Sequence, residues 1–187
     1  MKFAVHTLGC KVNQYETQAL AALLVQRGHA EAAEGERADV VIVNTCAVTA
    51  ESGRKSRQAV RRMRQDHPGA LTVVCGCFSQ LSPEDVKALG ADIVYGSGDK
   101  RALAEDIERR LKKTVVDDPF QRLVFEELPA GAAEGRARAM LKIQDGCVNF
   151  CSYCITPTPA ADCAACRSGP RWRRRSSSGT RATANWC

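Results

Sequence analysis

Along residues 1–112 the apolar positions alternate between two spacings. Short runs rich in Val, Ile, Leu and Phe, at 3–7, 40–44, 71–75 and 93–95, predict strands, with turn formers between them. Amphipathic stretches fill the gaps. Residues 16–27 predict a helix with Ala19, Leu20, Leu23 and Leu24 on one face and Gly28 at its end. A basic helix is expected at 51–65, and Ser82-Pro83-Glu84-Asp85 supplies an N-cap, a first-turn proline and first-turn acids for a short helix. Asp99 caps a further helix reaching Lys112. Strand and helix in alternation predict an α/β domain, a small parallel sheet with helices on both faces, over residues 1–112.

The alternation breaks at 113–138. Asp117-Asp118-Pro119 and the Gly/Ala-rich stretch at 129–135 read as a linker carrying one edge strand at 121–126. A new strand at 139–144 then runs straight into a cysteine-rich segment, so a second domain is expected to start at 139 and to reach 155. Residues 156–187 contain no Leu, Ile, Val, Met or Phe, and a stretch that cannot bury aliphatic surface is expected to be disordered.

Composition changes this picture in two respects. The ten cysteines in 187 residues, behind an N-terminus without a signal-peptide pattern, read as cytoplasmic thiols rather than a secreted disulfide scaffold. No window is apolar enough for a membrane span. The net charge of +6 points to nucleic acid until it is located: residues 156–187 hold six Arg and one Asp, leaving 21 basic against 20 acidic residues in 1–155. The basic excess lies in the tail.

Cys10, Cys46 and Cys77 each follow the carboxyl end of a predicted strand, and in a parallel sheet those ends share the rim where ligands bind. Each alone reads as a small buried residue; three at equivalent rim positions favour ligation. Cys75 is expected on the other face of its strand, in the core. Cys147, Cys151 and Cys154 form Cys-x3-Cys-x2-Cys, a tight loop whose thiolates suit an iron–sulfur cluster or zinc. A four-iron cluster on three ligands keeps one iron open for S-adenosylmethionine. The alternative is a structural zinc ribbon completed by Cys163 and Cys166.

CVNFCSYC at 147–154 resembles the signature of radical S-adenosylmethionine enzymes, and HTLGCKVNQYET at 6–17, NTCAVT at 44–49 and CGCFSQ at 75–80 resemble the methylthiotransferases among them. The resemblance covers residues 1–155. It implies two 4Fe-4S clusters, one on Cys10, Cys46 and Cys77 and one on Cys147, Cys151 and Cys154, with Tyr153 near the adenine of S-adenosylmethionine. GCKVNQYE is most similar to the branch that methylthiolates N6-threonylcarbamoyladenosine in tRNA, with isopentenyladenosine tRNA and ribosomal-protein branches as alternatives. The implied partners are tRNA and a flavodoxin-type electron donor; the sequence leaves the oligomeric state open, with a monomer expected, and no membrane is expected as a partner. From a different class, a non-enzymatic zinc- or RNA-binding protein would use the Cys loop and the Arg-rich tail.

Such enzymes continue past the third loop cysteine with a sequence like IIPYTRGR and a β/α barrel. One synonymous choice of codons for residues 155–169 gives IIPYTRGRLRSLPLG once a single T is restored, so the tail is expected to be out of frame and the chain inactive as written. Weaker signals remain. Arg54, Lys55, Arg57, Arg61, Arg62 and Arg64 form a basic helix that is either a tRNA contact or a solvated face. Gly96-Ser97-Gly98-Asp99 reads as a strand-to-helix turn, His6 as core or rim, and His29 and His67 show no ligand spacing.

Overall fold

A computed structural model describes residues 1–121, 125–129, 140, 142–147 and 151–155, together with the backbone of 164–165. In chain order the elements are β1 (Lys2–Thr7), α1 (Lys11–Gln26), β2 (Ala30–Glu31), β3 (Val40–Thr45), α2 (Ala50–Asp66), β4 (Leu71–Gly76), α3 (Cys77–Leu81), α4 (Pro83–Ala88), β5 (Ile93–Tyr95), α5 (Lys100–Arg109) and β6 (Lys113–Val115). Two short strands follow, β7 (Gln144–Asp145) and β8 (Ala164–Ala165). Among the described residues no helix is long and apolar enough to cross a membrane.

The first six strands form one parallel sheet in the order β2-β1-β3-β4-β5-β6. β3 and β4 are buried along their whole length, and their unbroken VVIVNT and LTVVCG runs fit strands covered on both faces. Side-chain alternation divides the core. Phe3, Val40, Ile42, Val73, Ile93 and Tyr95 pack with Leu20 and Leu24 of α1 and with Leu103 and Ile107 of α5. Val43, Val74 and Val94 face the other way, onto Val60, Phe78 and Val86 of α2, α3 and α4. The chain leaves β1 toward β2 on one side and β3 on the other, so the topological switch point lies between β1 and β3.

The expected parallel sheet is present, with several boundaries displaced. α1 starts five residues earlier, at Lys11, because Asn13, Tyr15, Glu16 and Thr17 all bury their side chains on its inner face. The expected linker instead supplies β6, whose Lys113, Thr114 and Val115 pair with Ile93, Val94 and Tyr95. Beyond it, Gln80 donates to Asp117 O at 2.8 Å and Leu128 is buried in the core. Of the edge strand expected at 121–126, Gln121 ends a 3-10 turn, Phe125 and Glu126 are not in a strand, and 122–124 lie outside the described residues. Of the strand expected at 139–144 only Gln144 is in a strand; Met140, Lys142 and Ile143 are not, and 139 and 141 are outside the described residues. β7 pairs antiparallel with β8, which falls in the segment expected to be disordered. The rest of 156–187 lies outside the described residues.

Tyr95 and α5 share a polar contact at the sheet's edge. The Tyr95 hydroxyl donates to Asp106, and Lys113 Nζ stands 2.6 Å from Asp106 Oδ2. Burial alone would raise the Asp106 carboxyl, but the hydrogen bonds from Lys113 and Tyr95 hold it below its ordinary value of 3.8. A carboxylate depressed in the folded chain stabilises it above the unfolded value and loses that contribution as pH falls through the folded value. Urea midpoints are therefore expected to drop as pH is lowered below about 4, and to drop less steeply in Asp106→Asn.

Candidate metal centre

Each rim cysteine is placed by a different strand-to-helix junction. After β1 the chain turns through Gly9, at φ +108°, and Cys10 becomes the N-cap of α1 with extended backbone. A Cβ on Gly9 would lie 2.9 Å from Cys46 Cβ and 3.1 Å from Cys46 Sγ, so glycine lets the first junction rest directly on the second. Cys46 follows β3 and is buried; its N–H donates to Ser56 Oγ at 3.2 Å and the Ser56 hydroxyl donates to Cys46 O at 2.9 Å. Cys77 is the first residue of α3, entered directly from β4 through Gly76 at φ +100°. Cys10 and Cys46 thus flank the switch point, with Cys77 just past the carboxyl end of the next strand, β4.

A side-chain network holds this edge. Cys10 Sγ donates to Asn13 Oδ1 at 3.3 Å, and Asn13 Nδ2 donates to Thr45 O at 2.9 Å and Asn44 Oδ1 at 3.3 Å. Asn44 Nδ2 in turn donates to Asn13 O at 3.1 Å and Thr17 Oγ1 at 3.0 Å. Thr45 Oγ1 donates across the sheet to Cys75 O at 2.6 Å.

Electrostatics connects the three thiols. Burial, followed by the charges of Glu16, Cys46 and Cys10, pushes the Cys77 thiol up to about 12, with Lys100 opposing. Cys10 is exposed and Cys77 half-buried, so the edge opens to solvent at one end. Any metal bound here has to displace the Cys77 proton. Cys75 is in the core as expected, and burial raises its thiol to about 11. Strand alternation does not explain the separation from Cys77, since residues two apart in a strand share a face; the chain leaves β4 at Gly76 and Cys77 belongs to a helix.

Among the described residues no three Cys, His, Asp or Glu side chains close round a single ion. A four-iron cluster asks for something wider, because each thiolate binds a different iron of the cube. A rim of three thiols reaching from buried to exposed has the soft-donor chemistry that such a cluster takes. The groove of about 230 Å³ between β1, α1 and β2 is lined by Val5, Thr7, Gln14, Thr17 and their neighbours and holds none of the cysteines.

The second trio sits beyond β7. Gly146 has φ +70°, and Cys154 N–H donates to Cys151 O at 3.0 Å, closing a turn between the last two cysteines. Cys151 is exposed, Cys147 and Cys154 are half-buried, and Tyr153 is 90% exposed. Residues 148–150 lie outside the described residues, as do Cys163, Cys166 and Cys187.

The weaker signals resolve toward structure. Arg54 bonds Glu51 through Nε at 2.9 Å and Nη2 at 2.7 Å, Arg62 pairs with Asp66 at 3.4 Å, Arg57 stacks 5.5 Å from the Phe78 ring centre, and Arg64 donates to Leu89 O at 2.6 Å. Much of the α2 charge is therefore engaged locally. Residues 96–99 are a turn, in which Ser97 N–H donates to Gln80 Oε1 and Asp99 accepts from Ala102 N–H to cap α5. His6 is exposed on β1 rather than in the core.

Sequence reasoning missed a buried charge set, Glu16, Lys100 and Lys142, which are 6%, 1% and 8% exposed. The signal lay in α1: once its start is moved to Lys11, Glu16 falls on the same inner face as Tyr15, Ala19 and Leu20.

The fold has a counterpart among solved structures. Radical S-adenosylmethionine methyltransferase TsrM from Kitasatospora setae superposes with a TM-score of 0.55 at 12% identity, over 94% of this chain and 45% of that one. Residues 2–96 match the family described as Uncharacterized protein family UPF0004. The chain belongs to that family, the methylthiotransferases. It is 42% identical over 159 residues to the threonylcarbamoyladenosine tRNA methylthiotransferase MtaB of Bacillus subtilis (strain 168), covering 82% of this chain and 35% of that protein. Identity to the protein of the same name in Aquifex aeolicus (strain VF5) is 36%, over 84% of this chain and 40% of that protein. The tRNA-2-methylthio-N(6)-dimethylallyladenosine synthase of Anaeromyxobacter dehalogenans (strain 2CP-C) is 33% identical, over 83% and 35%. The chain thus spans between 35% and 40% of the length of these relatives.

Proposed function

We propose that this chain is the sulfur-carrying portion of a tRNA methylthiotransferase that adds a methylthio group to C2 of N6-threonylcarbamoyladenosine beside the anticodon. The observation that carries the reading is the grouping of Cys10, Cys46 and Cys77 at the switch-point edge of a parallel sheet, with the Cys77 thiol under the influence of both others. Similarity to two proteins named as threonylcarbamoyladenosine tRNA methylthiotransferases supports this substrate over dimethylallyladenosine.

On this reading Cys10, Cys46 and Cys77 hold one 4Fe-4S cluster and Cys147, Cys151 and Cys154 a second, with Tyr153 beside the adenine of S-adenosylmethionine. When bound, such clusters supply reducing electrons, from a flavodoxin-type donor, and a site for sulfur. The chain's own residues do the placing. Asn13 orients the Cys10 thiol through its side-chain oxygen, and Ser56 holds Cys46 by both its backbone groups. Gly9 lets the first junction pack directly against Cys46, where any side chain would press on its Cβ and sulfur.

The test is anaerobic reconstitution of the full chain with iron and sulfide, followed by binding of S-adenosylmethionine and of tRNA with and without the threonylcarbamoyl group. The reading expects S-adenosylmethionine to alter the cluster's electron paramagnetic resonance and Cys154→Ser to abolish that change. It also expects tighter binding of tRNA bearing the threonylcarbamoyl group. A chain that takes up zinc and no iron would overturn it in favour of a zinc-binding protein.

A further inference from the structure

Glu16 lies six residues after Cys10 on α1, and its carboxylate is shared by two buried ammonium groups. Oε1 is 2.9 Å from Lys142 Nζ, and Oε2 is 3.4 Å from Lys100 Nζ. Lys142 Nζ continues to Asp145 Oδ2 at 2.7 Å, while Lys100 Nζ donates to Ser97 O at 2.6 Å. Two carboxylates thus balance two ammonium groups. Pairing only offsets the cost of taking these ions out of water, so an apolar substitute would stabilise the fold as well; an ion set of this kind adds a defined location.

That location joins two distant parts of the chain. Lys142 is 126 residues from Glu16, and Asp145 stands two residues before Cys147. Met140 packs on the core beside α1 and α5 while Ile143 is 49% exposed, so the segment presents Met140 and Lys142 downward together. The Glu16 charge also acts on the Cys77 and Cys75 thiols, which puts the same carboxylate near the rim. Burial would raise the Glu16 carboxyl, but Lys100 and Lys142 hold it below its ordinary value, so it is ionised at neutral pH.

We propose that Glu16 is a positioning residue: through the buried Lys142 ammonium it fastens the stretch from Lys142 to Cys147 to the sheet and sets where Cys147 stands relative to Cys10, Cys46 and Cys77. The consequence for chemistry rests on the reading of those two trios as cluster ligands. The tether itself does not.

The experiment is hydrogen exchange by mass spectrometry on the full chain and on Lys142→Met, which leaves Glu16 its Lys100 partner. The expected result is exchange across 142–147 faster by about tenfold or more, with β3 and β4 unchanged. Alkylation of the half-buried Cys147 and Cys154 should quicken while that of Cys46 holds steady. Unchanged exchange in 142–147, or an equal rise in β3 and β4, overturns the proposal, the second outcome making Lys142 a general stabiliser. Iron analysis of Cys10→Ser separates the two claims. Undiminished iron there refutes the cluster reading, while a local rise in exchange in Lys142→Met still establishes the tether.

Discussion

Gly76→Ala is expected to lower unfolding stability by about 2–4 kcal/mol and to abolish iron uptake at the rim. Gly76 closes β4 at φ +100°, a conformation that costs an L-residue on its own. The added Cβ would also meet Asn44 Oδ1, Thr45 O at 2.5 Å and Thr45 N at 2.9 Å, all parts of the neighbouring central strand. Backbone on β3 cannot yield without moving Cys46, which follows it directly. The junction that aims Cys77 and the one that aims Cys46 would shift together. Urea denaturation followed by circular dichroism, with iron measured on the same preparation, checks both effects.

Asn44→Leu is expected to cost about 2–4 kcal/mol, although leucine branches at the same atom as asparagine and is apolar. Asn44 is 1% exposed and makes hydrogen bonds to Asn13 O, Thr17 Oγ1 and Asn13 Nδ2. Leucine leaves the Asn13 carbonyl and the Thr17 hydroxyl short of a buried donor. The loss also frees Asn13, whose side-chain oxygen accepts from Cys10 Sγ. Stability should therefore fall with a parallel loss of rim iron, whereas Val60→Ala, in the opposite core cluster, should lower stability alone.

How much of this was legible in the sequence depended on burial. β3 and β4 announce themselves because strands covered on both faces must be apolar throughout. β2 is two exposed residues, Ala30 and Glu31, and an edge of that length carries no hydrophobic pattern. β6 was masked by its surroundings: Lys113 follows a basic helix end and Asp117-Asp118-Pro119 comes soon after, yet Thr114 and Val115 pair with β5. The rim positions of Cys10, Cys46 and Cys77 were readable because carboxyl ends of parallel strands share one edge. The residues that hold the rim were not. Asn13, Glu16, Asn44 and Lys142 are polar side chains buried by partners far away in sequence, and one strand or helix read alone does not reveal such partners.

The account stands or falls on whether the three rim sulfurs serve one inorganic centre. The direct measurement is iron and sulfide content, with Mössbauer spectra, of a chain whose loop cysteines are all replaced, Cys147→Ala with Cys151→Ala and Cys154→Ala, so that only the rim can bind. The prediction is about four irons and about four sulfides per chain with a cubane spectrum, lost on adding Cys46→Ser. Iron that survives without Cys46, or a chain lacking the loop cysteines that binds no cluster under conditions where the unaltered chain does, would contradict it.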